Sequence, residues 1–252
     1  MSPELRAALD AAAAAGAICL RYFGTEFEPE FKADDSPVTA ADREAEAAIR
    51  ESLLSKFPSY GFLGEESGSE RSEAESVWVV DPIDGTKSFV YGVPLFAVLI
   101  GLRRAARAAL GVAYLPALDS TYWAEAGGGA YRDGRQIRVS PEVEFGRALV
   151  VCGSHAGFQR VGREEGMARV AERAYATRTW GDAYGHLMVA SGRAGCMLDP
   201  VVNEWDILPL IPIVEEAGGV VTDFSGLPWS GQPEAISSSP QLLEAAVEAF
   251  RA

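Results

Sequence analysis

Val77-Trp78-Val79-Val80-Asp81-Pro82-Ile83-Asp84-Gly85-Thr86 is an apolar run that ends in two carboxylates, a glycine and a hydroxyl. Apolar residues closed off by Pro and Gly have the length and content of a buried strand. The carboxyl edge of such a strand is where open α/β sheets place their ligands. Pro82 removes a ladder donor, so pairing is expected to stop there and leave Asp81 and Asp84 converging on a rigid turn. Like charges that close call for a cation, and a hard one such as Mg²⁺ takes carboxylate oxygens while keeping positions for water and phosphate. Gly85 permits close backbone approach, and the Gly85 and Thr86 amides, opening a helix, would make a phosphate site. A plain Asp-Pro turn with a capping Asp accounts for one of these carboxylates more easily than for both.

Composition sets the frame around this stretch. The chain has 252 residues, is 48% hydrophobic and carries 26 Gly and 14 Pro, enough for one large core or two modest ones with many connections. Two halves are expected, 1–146 and 147–252, with Pro141 to Gly146 as the boundary. The 22 basic against 36 acidic residues give a net charge of −14, which opposes attraction to nucleic acid or an anionic membrane. An anionic substrate would then need a metal. Cys19, Cys152 and Cys196 sit in apolar surroundings without metal-type spacing, so buried, reduced thiols are expected. The N-terminal stretch is Ala-rich with Glu4, Arg6 and Asp10, lacks a basic start, and no apolar run reaches membrane-spanning length; the expected location is the cytoplasm.

Pattern reading predicts helices over Pro3 to Phe23 and from Pro37 through Phe57, with an irregular polar stretch from Glu26 to Ser36 between them. Thr39 and Asp42 have the placement of a capping box, which by itself accounts for both. Gly61 to Ser67 reads as a short strand ending in Glu65 and Glu66, only one of which can face a shared site. Gly68 to Ser76 reads as a mobile loop. Strands are expected at Leu95 to Leu102, Ala109 to Leu115, Thr121 to Ala126 and Gln136 to Val139, an antiparallel series. From Ala148 onward strands and helices alternate as in α/β folds: strands at Ala148 to Cys152, Thr177 to Thr179, Cys196 to Asp199, Val220 to Thr222 and Ala235 to Ser237. The helices fall at Arg163 to Ala174, Tyr184 to Ser191, a Pro-interrupted one from Asp206, and Gln241 to Arg251.

The sequence contains no G-x-x-x-x-G-K-[ST], no G-x-G-x-x-G after a strand and no G-x-S-x-G, and its only histidines are His155 and His186, readable as loop and helix-face residues. By contrast Asp42, Glu65, Asp81, Asp84 and Asp206 recur at strand ends and helix starts, the pattern of one acidic cluster assembled from distant segments.

Gly64-Glu65-Glu66-Ser67, then Asp81-Pro82-Ile83-Asp84-Gly85-Thr86, then Trp205-Asp206 followed by Glu215-Glu216-Ala217-Gly218-Gly219, resemble the three signatures of the inositol-monophosphatase family of Mg²⁺-dependent, lithium-sensitive phosphatases. The resemblance spans nearly the whole chain. It implies a layered α-β-α-β-α fold, an antiparallel sheet in the N-terminal half, a mixed α/β C-terminal half and a homodimer. It also implies that Glu65, Asp81, the Ile83 carbonyl, Asp84 and Asp206 bind two or three Mg²⁺, with Mn²⁺ as a substitute. Glu65, and Thr86 paired with Asp42, would position the attacking water, and Gly85 and Thr86 would hold the phosphate. A phosphate-binding relative without turnover is the non-enzymatic alternative; the presence of every implied ligand speaks against it.

Within that family, Asp81 to Phe89 with Pro94-Leu95-Phe96, and Arg178-Thr179-Trp180-Gly181-Asp182-Ala183-Tyr184-Gly185, most resemble the histidinol-phosphatases of histidine biosynthesis. Inositol phosphatases carry smaller, uncharged residues around Trp180 and Asp182; one departure from the histidinol-phosphatases is Ala183, where they often have a bulkier or sulfur-bearing residue. Histidinol phosphate brings an ammonium and an imidazole, so Asp182, Asp199, Glu204 and the face of Trp180 become its candidate contacts. Core packing for Trp180 and a helix N-cap for Asp182 are the plain alternatives. Inositol monophosphate and fructose 1,6-bisphosphate are the alternative substrates.

Overall fold

The computed structural model describes residues 1–25, 30–31 and 37–251. In chain order its elements are α1 (Pro3–Tyr22), β1 (Glu30–Phe31), β2 (Pro37–Val38), α2 (Ala40–Lys56), β3 (Gly61–Gly64), β4 (Gly68–Glu70), β5 (Ser76–Asp84), α3 (Thr86–Val90), β6 (Ala97–Arg104), β7 (Arg107–Leu115), β8 (Ser120–Glu125), β9 (Ala130–Arg132) and β10 (Arg135–Gln136). There follow β11 (Leu149–Cys152), α4 (His155–Arg160), α5 (Glu164–Arg173), β12 (Ala176–Arg178), α6 (Asp182–Ala190), β13 (Cys196–Asp199), α7 (Glu204–Ile207), α8 (Ile211–Glu216), β14 (Val220–Thr222), β15 (Ala235–Ser238) and α9 (Pro240–Glu248). Most of the irregular stretch expected at 26–36 lies outside the described residues.

The first large sheet has eight strands in the order β10-β9-β8-β7-β6-β5-β3-β4, and the second has five in the order β12-β11-β13-β15-β14. α1 and α2 pair and cover one face of the eight-stranded sheet, burying Leu5, Ala8, Ala12, Ile49 and Leu53 against Trp78, Val80 and Ile100. Its other face packs on α6, α7 and α8 through Leu99, Ala113, Leu187, Ile207 and Ile213. The five-stranded sheet takes the far side of that middle layer, Met188 and Val189 meeting Val151 and Met197. Its outer face is closed by α4, α5 and α9 through Phe158, Val170, Leu242 and Phe250. The layers are therefore α-β-α-β-α. Gly101 and Gly111, opposite each other on β6 and β7, let the chain between α7 and α8 rest on the sheet: a Cβ at Gly111 would stand 1.8 Å from the Pro209 carbonyl oxygen. That close approach brings α7 and Asp206 to the end of β5.

Five expectations are corrected. β5 does not stop at Pro82: it runs to Asp84, with a register shift between Asp81, opposite Leu99, and Asp84, opposite Ala97. The bulge takes Pro82 out of the ladder, so its missing N–H costs nothing there. The eight-stranded sheet is antiparallel except for one parallel pair, β3 with β5. The supposed mobile loop contains β4, an edge strand paired with β3 and tied to α2 by the Arg50–Glu70 ion pair; polar composition suits an edge and mimicked a loop. The strand expected at Gln136 to Val139 is only β10, because Val139 instead donates its amide to the Ala217 carbonyl at the end of α8. The second helix begins at Ala40, with Pro37–Val38 as strand; β9 and α4 went unread. Cys19, Cys152 and Cys196 are free and buried.

Candidate active site

The end of β5 opens into a cavity of about 230 Å³ lined by Glu65, Asp81, Ile83, Asp84, Gly85, Thr86, Lys87, Asp182, Ala183, His186, Asp199, Val201, Asn203, Asp206 and Ile207. The bulge turns Asp81 and Asp84 toward the same side, and α7 adds Asp206, so that one carboxylate oxygen from each lies within 4.8 Å of the others. Three of their oxygens are already fixed. Asp81 Oδ1 accepts the Ile83 amide at 2.9 Å, Asp84 Oδ2 the Ala183 amide at 2.7 Å and Asp206 Oδ2 the Asn203 amide at 2.7 Å.

Burial is the first cause of the raised pKa values here, and the acids' mutual repulsion the next. Asp81 lies well above the usual carboxylate range, with Glu65, Asp84 and Asp206 adding to it. Asp84 lies well above it through burial and the charges of Asp182 and Asp206, against the Ala183 hydrogen bond. Asp206 is pushed up to about 7 by burial, with Glu65 and Asp199 adding and the Asn203 amide opposing. Among the described residues no Lys, Arg or His forms an ion pair with these three. An all-oxygen set of crowded, partly desolvated carboxylates fits a hard divalent cation.

Glu65 lies just beyond β3, its amide bonded to the Val80 carbonyl of the neighbouring β5. The turn carrying it is held from below by Glu46, a buried α2 acid whose two oxygens accept the Glu66 amide at 2.8 Å and the Ser67 amide at 2.7 Å. Sequence reading missed Glu46. The available signal was an acid four residues after Asp42, in the apolar stripe of Ala45, Ile49 and Leu53.

Gly85 takes the left-handed φ of 79° that lets the chain turn from β5 into α3. The Thr86 hydroxyl donates to the Ile83 carbonyl at 3.0 Å, which leaves that carbonyl a second lone pair. Asp42 does not line the cavity. It closes the capping box, its Oδ2 accepting the Thr39 amide at 2.8 Å and the Thr39 hydroxyl at 2.6 Å, and its Oδ1 is buried without a hydrogen-bond partner. The Thr86–Asp42 pairing implied by the family resemblance is therefore not formed; Thr39, the nearer partner in sequence, holds the acid. Burial pushes Asp42 up to about 6, with Glu66 and Glu65 adding to it and the Thr39 hydrogen bonds opposing.

Asp182 and Asp199 reach the cavity from the five-stranded side. Asp182 is the first residue of α6, with Gly181 as the cap, so the N-cap alternative does not hold. Its φ of 54° is left-handed, costly for a residue with a Cβ though less so for Asp. Desolvation and Asp199 push its carboxyl up to about 6 against Lys87; its side chain is open to solvent at the mouth, which screens these effects. Trp180 is 40% exposed and lies outside the cavity lining, so neither core packing nor cavity contact describes it. Glu204 also lies outside: it opens α7 and is drawn away by Arg103, 2.7 Å from its carboxylate. His155 opens α4 on a neighbouring cavity, and His186 lies on α6 inside the main one.

Layered fold and clustered acids at a strand end define a phosphatase of a known kind: over residues 1–252 the chain matches the inositol monophosphatase family, and it belongs to that family. It is 42% identical over 227 residues to a histidinol-phosphatase of Chlorobaculum parvum, covering 90% of this chain and 88% of the relative. It is 36% identical over 235 residues to an inositol-1-monophosphatase of Mesorhizobium japonicum, covering 89% and 87%. The crystal structure of the extragenic suppressor protein SuhB from Bartonella henselae superposes with a TM-score of 0.92 at 29% identity, covering 99% of both chains.

Proposed function

We propose that this phosphatase hydrolyses L-histidinol phosphate, with Mg²⁺ as its metal. The carrying observation is that two further carboxylates, Asp182 and Asp199, line the same cavity as the Asp81, Asp84 and Asp206 cluster. Those three acids and Glu65 account for metal binding. Two more beside them suit a leaving group that carries positive charge. The similarity to the Chlorobaculum parvum histidinol-phosphatase supports the same reading.

In this mechanism Glu65, Asp81, Asp84, Asp206 and the Ile83 carbonyl would hold the metal. When bound, Mg²⁺ neutralises phosphate charge and makes a water more acidic. The Gly85 and Thr86 amides at the start of α3 orient the phosphate, and the Thr86 hydroxyl and Glu65 orient the attacking water. Asp42, buried and outside the cavity lining, is left by this geometry to hold the start of α2 through Thr39. Asp182 and Asp199 receive the ammonium and imidazole groups. Trp180 and Glu204 are left without a substrate role by this geometry. The division into halves at 1–146 and 147–252, a homodimer and a place in the cytoplasm for histidine biosynthesis belong to the same reading.

A second reading is a sugar bisphosphate, favoured by Lys87, His155 and Arg160, which line an adjoining cavity of about 480 Å³ that shares Asp182 and Asp199 with the first. Hydrolysis rates for L-histidinol phosphate, inositol 1-phosphate and fructose 1,6-bisphosphate, each with and without Mg²⁺, decide among them. The expected outcome is Mg²⁺-dependent turnover with the highest kcat/KM for histidinol phosphate. Preference for inositol 1-phosphate or the bisphosphate, or turnover of none of the three, overturns the substrate assignment.

A further inference from the structure

His186 is 1% exposed on α6 and is one of only two histidines in the chain. Its Nδ1 lies 2.7 Å from the hydroxyl of Ser237, itself fully buried in β15. Its Nε2 is buried with no hydrogen-bond partner and points at Asp199, 3.7 Å from Oδ2. That separation is too long for a hydrogen bond but short enough that the sign of the ring's edge matters. A bare Nε2 lone pair would face the carboxylate; an N–H there attracts it instead. Among the described residues His186 is also the only basic side chain within 4.0 Å of the Asp199 carboxylate.

We propose that His186 is a positioning residue for leaving-group selection: Ser237 donates its hydroxyl hydrogen to Nδ1, which sets the Nε2–H tautomer, and that N–H holds the Asp199 carboxylate toward the cavity. The Ser237–His186–Asp199 line thus reaches from the five-stranded sheet to the leaving group, and the ring acts through Asp199 without touching the substrate. The atom order supports this. His186 lies along the main cavity, but its Nε2 is shut off from solvent, whereas Asp199 lines both that cavity and its neighbour. A buried donor with no fixed partner costs free energy unless a nearby acceptor closes on it, and Asp199 is the acceptor available. This inference rests on the reading of Asp199 as a contact for a cationic leaving group.

Two measurements test it. Long-range ¹H–¹⁵N NMR of the two histidines should assign His186 to the Nε2–H tautomer, and in Ser237→Ala that assignment should weaken to a tautomer mixture. The Nδ1–H tautomer in the wild type overturns the proposal. Second, kcat/KM is measured for L-histidinol phosphate and for 4-nitrophenyl phosphate, an ester whose leaving group carries no positive charge. For His186→Leu the ratio of the two should fall about tenfold, chiefly through KM, the effect of losing one N–H dipole aimed at a carboxylate that meets the substrate. His186→Gln, whose amide can offer an N–H near the Nε2 position, should regain most of the ratio. An unchanged ratio in His186→Leu, or a His186→Gln as poor as His186→Leu, overturns the role; if the leucine variant does not fold, Gln and Ser237→Ala carry the test. A wild type with no preference for the cationic ester fails the Asp199 reading itself, an outcome distinct from a wild-type preference that His186→Leu leaves intact.

Discussion

At the floor of the cavity Asp81, Asp84 and Asp206 face one another without a basic side chain among the described residues to pair with, whereas at its mouth Asp182 feels Lys87 and Asp199 faces His186. Both groups are acidic, yet they pose different physical problems. The floor acids are desolvated and uncompensated, so the folded chain alone is left with raised pKa values or strong repulsion. The mouth acids have Lys87 and the His186 ring beside them, and their negative charge is available to a group that comes and goes. A resident cation suits the first arrangement and a transient one the second.

The comparison breaks most decisively at the floor. Asp84→Asn should lower turnover by at least ~10²-fold even at saturating Mg²⁺, because an anionic ligand is lost, while thermal melts of the metal-free variant stay at or above wild type as repulsion is relieved. Near-normal turnover would remove Asp84 from the metal set. At the mouth, Asp182→Asn should cost about 1.5–3 kcal/mol in kcat/KM for L-histidinol phosphate, the worth of a charge-assisted hydrogen bond, and much less for 4-nitrophenyl phosphate. Equal losses on both would make Asp182 structural.

Glu46→Ala sharpens the picture beneath the floor. It strands the Glu66 and Ser67 amides and should cost about 1–3 kcal/mol in denaturant unfolding, with a parallel drop in activity as Glu65 loses its support. Without metal, stability should also depend on pH in an unusual direction. Asp42 and Asp206 are raised from 3.8 to about 6 and about 7, so between those limits the folded state holds more protons than the unfolded one. Stability then falls as pH rises from about 4 to 7, by on the order of a few kcal/mol once solvent screening of the partly exposed Asp206 is allowed for. Saturating Mg²⁺ should flatten or reverse that slope. A metal-free unfolding curve that rises with pH would show that the acids ionise without penalty. The smallest effect is expected at Glu204→Gln, which loosens the partly exposed ion pair with Arg103: at most about 1 kcal/mol of stability and no change in substrate preference. A shifted preference would return Glu204 to the site.

Much of the floor was legible because its residues are adjacent in sequence and its chemistry is local. A strand ending in Asp81-Pro82-Ile83-Asp84-Gly85-Thr86 announces converging carboxylates in one glance, and periodicity located most helices and strands. Where reading failed, a tertiary partner had overruled the local pattern. Pro82 sits in a bulge, Gly68–Glu70 pairs as an edge strand, and Glu204 is claimed by Arg103, more than 100 residues earlier in the sequence. Thr86 and Asp42 show the same: the residue types were right, but each hydroxyl chose its nearest acceptor, Thr86 the Ile83 carbonyl and Thr39 the Asp42 carboxylate.

By itself, then, the sequence determined which residues carry charge, where strands and helices alternate, and that clustered acids suit a cation, since these follow from side-chain chemistry and short-range periodicity. Only the tertiary structure decided which acids share a cavity and which are taken by the protein itself. Glu46 beneath the Glu65 turn, and Ser237 behind His186 and Asp199, meet across α-β packing that sequence separation hides. Hydrogen bonds act over about 3 Å, and only the packed layers bring such distant residues that close.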